Sequence, residues 1–144
     1  MNAALVCGAS GFIGRRLAAA LRTDRVPVRV ALRRPLPQEP GAILAPLDDP
    51  SALAHACAGI DAVFHCAGHA HAWAAADATL HRTVNEDGTR NLVEAAGRAG
   101  VRRFVFLSSV KAMGEPGEAC ADEEWPLPPL TPSGPELGSA SAPV

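Results

Sequence analysis

The stretch that decides the fold lies near the amino terminus and reads Val6-Cys7-Gly8-Ala9-Ser10-Gly11-Phe12-Ile13-Gly14. A short apolar run over residues 3–7 leads into the glycines, as expected of a strand that is buried on both faces. Residues 12–21 repeat their apolar side chains at helical spacing. The sequence therefore predicts a strand, a tight turn and a helix in that order.

The three glycines of this turn have separate physical roles. Gly8 allows a sharp turn out of the strand, and Gly11, which has no Cβ, lets a phosphate approach the backbone. Gly14 lets the helix lie close to the sheet. A helix N-terminus offers unpaired N–H groups and a partial positive charge. The G-x-x-G-x-x-G spacing in this context predicts a dinucleotide site, and the alternative is a chance glycine turn.

Further apolar segments alternate with helical ones along the chain. Strands are predicted over residues 3–7, 26–32, 42–47, 61–66 and 103–108. Helices are predicted over residues 12–21, 50–58 with Asp49 as N-cap, and 74–100 with a break near Thr83. This alternation predicts an α/β fold with a doubly wound parallel sheet, whose ligands bind at the carboxyl ends of the strands.

Two arginines end the second predicted strand. Arg33 lies 19 positions after Gly14, Arg34 follows it, and no acidic residue is nearby. At this place an acid binds the ribose 2′-hydroxyl of NAD, whereas an arginine suits the 2′-phosphate of NADP. The sequence therefore favours NADP over NAD. The alternative is a pair of solvated arginines at the edge of a loop.

Composition divides the chain into a dinucleotide-binding domain, residues 1–114, and an irregular segment, residues 115–144. The first part holds all 13 Arg and Lys residues, and the second holds seven of the 13 prolines and no base. Leu-Pro-Pro-Leu at 127–130 fits either an ordinary loop or a polyproline ligand for an adaptor domain. The net charge of −2 favours neither nucleic acid nor a membrane as partner.

Cysteines and histidines offer a second set of candidate functional residues. No paired spacing links the four cysteines, Cys7, Cys57, Cys66 and Cys120. Reduced thiols in a cytoplasmic protein without a signal peptide are therefore expected. Three histidines cluster at His65, His69 and His71. They fit either a metal site or, without acid or thiol partners, ordinary core and surface positions.

Four motifs together resemble one family. They are GASGFIG at 8–14, DAVFHCAG at 61–68, VNEDGTRNLVEAAGRAGV at 84–101 and RRFVFLSSVKAMGE at 102–115. In this order they resemble the extended short-chain dehydrogenase/reductases, and most of all the NAD-dependent epimerase/dehydratases that act on nucleotide sugars. The resemblance covers residues 3 to about 132 and implies a Rossmann-like fold, here incomplete.

The resemblance also implies roles for individual residues. The pyrophosphate would be cradled by Gly8, Ser10, Gly11, Phe12, Ile13 and Gly14. The adenosine ribose would meet Arg33, together with Arg34. The central part of the cofactor would lie against Cys66, Ala67 and Gly68. Asn85 would brace the long helix near the active site. Ser108 would touch the nicotinamide side, and the catalytic serine would be Ser109.

This sequence departs from the family in two places. The acid-hydrophobe pair expected near the adenine is Pro46-Leu47, which leaves only the backbone of Leu47 to serve there. The catalytic tyrosine and the lysine four residues after it are replaced by Ser133 and Leu137, and the chain has no tyrosine. Its one lysine, Lys111, follows Ser109 by two positions. A serine hydroxyl is far less acidic than a phenol with a pKa of about 10.

The resemblance therefore implies an NAD(P)-binding protein of the nucleotide-sugar epimerase/dehydratase or reductase type, without turnover. A non-catalytic dinucleotide-binding regulatory module and a decayed fragment without function are the alternatives. The abrupt loss of pattern after Pro132 leads us to expect a truncated or frameshifted product, which the DNA sequence downstream would test. Phe104 and Phe106 would then lie on a poorly covered edge strand, which favours self-association.

Overall fold

A computed structural model of the chain describes residues 1–36, 38–69, 79–109, 122 and 124. The chain divides into two units, residues 1–107 and residues 108–144. The first unit contains the strands β1 (Ala4–Cys7), β2 (Val28–Leu32), β3 (Ala42–Leu44), β4 (Ala62–His65) and β5 (Arg103–Phe106). Its helices are α1 (Phe12–Thr23), α2 (Pro50–Cys57) and α3 (Gly88–Arg98), and the π-helical segment Arg82–Asp87 leads into α3.

The five strands form one parallel sheet in the order β3-β2-β1-β4-β5. β1 is central, and its Val6 pairs with Val30 of β2 on one side and with Phe64 of β4 on the other. From β1 the chain adds β2 and then β3 on one side, and it then crosses back to add β4 and β5 on the other side of β1. This is the predicted doubly wound, Rossmann-like α/β sheet, and it brings the carboxyl ends of all strands to one edge.

Side chains of β1 alternate between two cores, because successive residues of a strand point to opposite faces. Leu5 and Cys7 belong to the core beneath α2 and α3, whereas Ala4 and Val6 belong to the core beneath α1. Every residue of β1 is buried. The strand is apolar throughout because neither of its faces meets water.

Several strands are shorter than predicted, and proline explains two of the differences. β2 begins at Val28 rather than at position 26, because Pro27 has no N–H and Val26 donates to the carbonyl of Leu21 instead. β3 ends at Leu44 rather than at position 47. The N–H of Ala45 still donates a hydrogen bond to the Leu32 carbonyl. Pro46 then starts a turn, which the N–H of Asp49 closes by donating to the Pro46 carbonyl. β4 and β5 end at His65 and Phe106, one and two residues earlier than predicted.

The helical predictions agree closely where the chain is described. The N-cap at Asp49 is confirmed, because its carboxylate accepts a hydrogen bond of 2.9 Å from the N–H of Ala52. The predicted break near Thr83 falls within the π-helical segment Arg82–Asp87. Residues 70–78, the start of the predicted long helix, lie outside the described residues.

β5 forms one edge of the sheet in the described part of the chain. Phe104 packs against the core beneath α2 and α3, whereas Val105 and Phe106 are 41% and 49% exposed. The predicted poor covering of this edge therefore holds for Val105 and Phe106 but not for Phe104.

Candidate functional site

The carboxyl edge of the sheet holds a cavity of about 410 Å³, which is within the usual range for small-molecule sites. It opens where the chain reverses direction between β1 and β4, the place where such sheets bind ligands. Residues that line it come from the ends of β1, β2 and β4, from the turn after β3, and from the helical segment that precedes α3. They are Cys7, Gly8, Ser10, Gly11, Ala31, Leu32, Arg33, Ala45, Pro46, Leu47, Asp48, Cys66, Ala67, Gly68, Leu80, Thr83 and Val84.

Gly8 forms the corner between β1 and α1. Its φ of +83° lies in the left-handed region, which a residue with a Cβ rarely adopts. A Cβ at this position would also lie 2.5 Å from the backbone nitrogen of Ala67. Two independent constraints therefore require glycine here. Because Gly8 has no Cβ, the chain after β4 can pass close to the turn.

The N-terminus of α1 begins at this corner. Gly11 donates to the carbonyl of Gly8 over 3.0 Å and serves as N-cap without a side-chain hydrogen bond. A Cβ on Gly11 would lie 3.2 Å from that same carbonyl oxygen, and a Cβ on Gly14 would collide with it. Both glycines therefore tighten the turn itself. The first-turn N–H groups of a helix have no intrahelical acceptor, so an anion can accept from them.

Two charged residues, Arg33 and Asp48, line the cavity among the described residues. Both are exposed, and they form neither an ion pair with each other nor one with another described residue. They come from the β2 and β3 side of the cavity. Arg34 follows Arg33 but does not line the cavity.

The opposite wall consists of Cys66, Ala67 and Gly68, just beyond β4. Asn85 fixes the chain that follows them. Its side-chain oxygen accepts a hydrogen bond of 2.7 Å from the N–H of His69, and its amide donates one of 2.9 Å to the His69 carbonyl. Asn85 therefore holds the wall in place and does not itself line the cavity.

Leu47 is held from behind by α3. The side-chain amide of Asn91 donates to the Leu47 carbonyl over 2.9 Å. Gly88 packs so closely that a Cβ there would lie 2.9 Å from the Cβ of Leu47. The position of the turn after β3 thus depends on a helix that forms later in the chain.

The cavity contains only part of the predicted site. Predicted residues that line it are Gly8, Ser10, Gly11, Arg33, Leu47, Cys66, Ala67 and Gly68. Predicted residues of the first unit that do not line it are Phe12, Ile13, Gly14, Arg34 and Asn85. Phe12 and Ile13 have exposed side chains and could contribute through the backbone of the first turn. Ser108 and Ser109 belong to the second unit and are exposed.

Sequence reasoning missed several residues of the cavity wall. They are Cys7, Ala31, Leu32, Ala45, Asp48, Leu80, Thr83 and Val84. The apolar ones lie at or just after the ends of strands, or in the helical region before α3, and show no signal of their own in the sequence. Asp48 could have been found, because it follows Leu47 in the turn where a polar side chain was expected.

His65 is buried in the core, at the end of β4. Its Nε2 lies 2.8 Å from the hydroxyl oxygen of Thr89, and its ring contacts those of Phe104 and Phe106. Within the described residues its Nδ1 has no hydrogen-bond partner. Burial lowers the pKa of this imidazole. Among the residues described, no group of three or more His, Cys, Asp and Glu side chains could hold a metal ion.

Cys7, Cys57 and Cys66 carry free thiols. Burial raises the pKa of Cys7 to about 12, and nearby Cys57 and Cys66 add to the shift. Burial also raises the pKa of Cys66. Both cavity-lining thiols are therefore protonated at neutral pH and are poor nucleophiles.

Some predictions lie outside the described residues. They concern His71, Lys111, Cys120, Leu-Pro-Pro-Leu at 127–130, Ser133 and Leu137. No helix in the described part of the chain is both long and apolar enough to cross a membrane.

A doubly wound, Rossmann-like α/β protein is the class that this sheet defines. The sequence matches the model of the NAD dependent epimerase/dehydratase family over residues 4–135, and the chain therefore belongs to that family.

Three relatives illustrate the range of the family. A short-chain dehydrogenase/reductase superfamily protein from Agrobacterium tumefaciens, solved with bound NAD, is 39% identical with a TM-score of 0.80, over 91% of this chain and 40% of that one. UDP-glucose 4-epimerase of Vibrio cholerae is 33% identical over 77% of this chain and 36% of its own length. The 3 beta-hydroxysteroid dehydrogenase/Delta 5-->4-isomerase of Mycobacterium tuberculosis is 36% identical over 85% and 36%. The chain thus spans about a third of the length of the curated relatives that it matches.

The contact between Gly88 and Leu47 can be tested with a matched pair of glycines on α3. The new methyl group of Gly97→Ala would have no neighbouring atom within 4 Å. This substitution should therefore stabilise the protein by up to about 1 kcal/mol, because alanine has the higher helix propensity. Gly88→Ala gains the same propensity but overpacks Leu47, which costs about 1–3 kcal/mol. Chemical denaturation should therefore place Gly88→Ala below Gly97→Ala in stability. Equal stabilisation by both substitutions would show that Leu47 is not held as described.

Burial of His65 predicts a loss of stability in acid. The pKa of His65 is lower in the folded protein than the value of about 6.5 that it has in the unfolded chain. Above pH 6.5 the imidazole is neutral in both states, so burying it does not reduce the free energy of unfolding there. The free energy of unfolding should fall by up to about 1.4 kcal/mol per pH unit below that value, as the unfolded chain takes up a proton. Denaturation curves from pH 7.5 to 5.5 measure this slope.

His65→Phe retains a ring between Phe104 and Phe106 and should flatten the acid slope. His55→Gln, which replaces an exposed histidine of α2, is the matched control for the loss of an imidazole as such. A slope that persists unchanged in His65→Phe would assign the pH dependence to other groups.

Proposed function

We propose that the first unit binds a nicotinamide dinucleotide in the cavity at the carboxyl edge of the sheet, and that NADP is preferred over NAD. One observation carries the proposal. The glycine turn with φ of +83° at Gly8 and the uncapped N-terminus of α1 open on a cavity that Arg33 also lines. Backbone N–H groups and a guanidinium are the donors that diphosphate and phosphate groups require.

The diphosphate would lie over the turn. Gly8, Ser10 and Gly11 line the cavity there, and the N–H groups of Phe12, Ile13 and Gly14 belong to the first turn of α1. That helix end has neither a side-chain cap nor an acidic residue in its first turn, so no group of its own competes for those donors. The residues present therefore fit a diphosphate.

The preference for NADP rests on Arg33. A guanidinium can bind a ribose 2′-phosphate in a bidentate manner, and no described residue holds Arg33 in an ion pair. Arg34 would assist from outside the cavity. The relative from Agrobacterium tumefaciens was solved with NAD, so the choice between the two dinucleotides is a question about the two arginines of this chain.

The remaining predicted roles follow from the same placement. Cys66, Ala67 and Gly68 would line the central part of the dinucleotide, with Asn85 holding their loop. Leu47 would contact the adenine. Ser108 and Ser109 would serve the nicotinamide and the substrate, as the family resemblance implies. The domain boundary we propose, after residue 114, rests on composition alone.

When bound, a nicotinamide dinucleotide supplies a hydride acceptor or donor. We propose a nucleotide sugar as the substrate of the family member to which this sequence corresponds, supported by the UDP-glucose 4-epimerase of Vibrio cholerae. Proton transfer would need a stronger acid than Ser133, and these 144 residues contain no tyrosine. We therefore propose that this chain binds the dinucleotide without turning over a substrate.

A regulatory dinucleotide-binding module is the second candidate. It is favoured by the two charged side chains on the described cavity wall, Arg33 and Asp48, which can bind a ligand through their charges. Self-association belongs to the same proposal, because Val105 and Phe106 expose apolar surface on an edge strand. A cytoplasmic location is proposed with it.

Calorimetric titration with NADP and NAD tests the proposed function. We expect the unaltered chain to bind both, and NADP more tightly. Arg33→Ala should lower the affinity for NADP by about ten- to a hundredfold, which corresponds to the loss of a hydrogen bond to a charged group. It should lower the affinity for NAD much less. Arg34→Ala should have a smaller effect, and Arg98→Ala, on α3, is the control for loss of an arginine. Folded protein that binds neither dinucleotide would refute the proposal.

Lack of turnover is tested with the same protein. With NADP or NAD present at saturation, we expect no epimerisation, dehydration or reduction of UDP-glucose above the rate without protein. Absorbance at the nicotinamide band and chromatography of the sugar products measure this. A rate that scales with protein concentration and is lost in Ser109→Ala would establish catalysis by these residues instead.

A further inference from the structure

We propose that a second cavity, at the amino edge of the sheet, binds a small anion through its phosphate group. This cavity has a volume of about 230 Å³ and is lined by Met1, Asp61, Ala62, Arg102 and Arg103. Ala62 and Arg103 are the first residues of β4 and β5, and they pair with each other in the sheet. The inference concerns this edge alone and does not rest on the proposed function.

The length of the strands separates this cavity from the one at the carboxyl edge. β4 and β5 are each four residues long, and a strand rises about 3.3 Å per residue, so the two edges lie about 10 Å apart or more. The described residues that line one cavity do not line the other. A ligand at the amino edge therefore meets a different set of side chains.

The backbone that carries the two arginines is fixed to the start of β4. The N–H groups of Arg102 and Arg103 both donate to the Asp61 carbonyl, over 3.0 and 3.2 Å. The N–H groups of Asp61 and Ala62 donate in turn to the carbonyl of Ala3, which precedes β1. Because these N–H groups are engaged, the guanidinium groups are the donors that remain for an anion.

Asp61 is the carboxylate that the described wall of this cavity contains, and both of its oxygens have partners. One oxygen accepts a hydrogen bond from the N–H of Asn2, and the other lies 3.1 Å from a guanidinium nitrogen of Arg102. These contacts keep the pKa of Asp61 below its usual value, and the Asn2 hydrogen bond has the largest effect. The carboxylate therefore stays ionised at neutral pH and orients Arg102.

The charges of this cavity do not balance among the described residues. Arg103 is exposed and forms no ion pair with any of them, so two guanidinium groups accompany one carboxylate. Each guanidinium has several N–H donors, and the contact with Asp61 uses one nitrogen of Arg102. One positive charge and most of the donors of both side chains are therefore left for a ligand.

A phosphate group matches these donors better than a carboxylate does. It carries up to two negative charges and several acceptor oxygens, so two guanidinium groups can bind it at once, whereas one guanidinium suffices for a carboxylate. The cavity volume of about 230 Å³ is below the roughly 300–1,000 Å³ of sites for drug-sized ligands. The size therefore favours a small anion.

The test is a titration of the unaltered chain with inorganic phosphate at constant ionic strength, followed by NMR of the backbone amides. We expect saturable shifts at Ala62, Arg102 and Arg103, whereas the amides of Gly8 and Gly11 report separately on the carboxyl edge. Acetate should bind at the amino edge at least about tenfold more weakly, since it lacks the second charge. Ribose 5-phosphate, titrated in parallel, distinguishes a phosphate group within a larger molecule from the free ion, and saturation by either one supports the site.

Two variants examine the arginines. Arg103→Ala should lower the affinity for phosphate by about tenfold, near the lower end of what a hydrogen bond to a charged group contributes, because the side chain is exposed. Arg102→Ala should lower it to a similar extent. Arg98→Ala, which removes an exposed arginine paired with Glu94 on α3, is the matched control and should retain the affinity. Thermal unfolding of each variant verifies that it is folded.

A charged residue at the start of an edge strand can also serve to prevent pairing with another chain. That role requires no ligand. Amide shifts at the amino edge that do not saturate, or an unchanged affinity in Arg103→Ala, would refute the site and assign Arg103 that role instead. Acetate binding as tightly as phosphate would refute recognition of the phosphate group. Because the amides of the two edges are followed separately, each of these results leaves the proposed dinucleotide site as it stands.

Discussion

The rest of the first unit depends on the close packing around Gly8. Its left-handed φ turns the chain sharply at the end of β1, and its carbonyl receives the N–H of Gly11 as α1 begins. Gly14 fits against the same carbonyl one helical turn later, while the backbone at Ala67 approaches from the other side. A methyl group at Gly8 or at Gly14 would separate pieces of backbone that now touch.

This packing explains why the cavity lies where it does. β1 is central and buried on both faces, so its end cannot move toward solvent without exposing two cores. The loop after β4 must then pass close to the turn after β1, and the space between them and the end of β2 stays open. Asn85 on one side and Asn91 on the other fix the two loops that border that space. Both asparagines come from the helical region that ends at Arg98, so that region defines the cavity without lining much of it.

The sequence was sufficient to predict the sheet and its reversal point, because the relevant signals are local. Apolar runs of strand length, a glycine turn and the Asp49 cap each act within a few residues of one another. The contacts of Asn85 with His69 and of Asn91 with Leu47 join residues that are 16 and 44 positions apart, and no periodic pattern encodes them. Proline also determined where β2 and β3 pair, which apolar content alone did not indicate.

The side chains of the described cavity wall bear on the proposal that this cavity binds a ligand without turning it over. Its thiols, Cys7 and Cys66, have raised pKa values and stay protonated near neutral pH, so they offer neither a base nor a nucleophile. Its two charged side chains, Arg33 and Asp48, come from the side of β2 and β3 and are not paired with each other. The proposed binding of a dinucleotide by the first unit rests on these charges and on the glycine turn at Gly8.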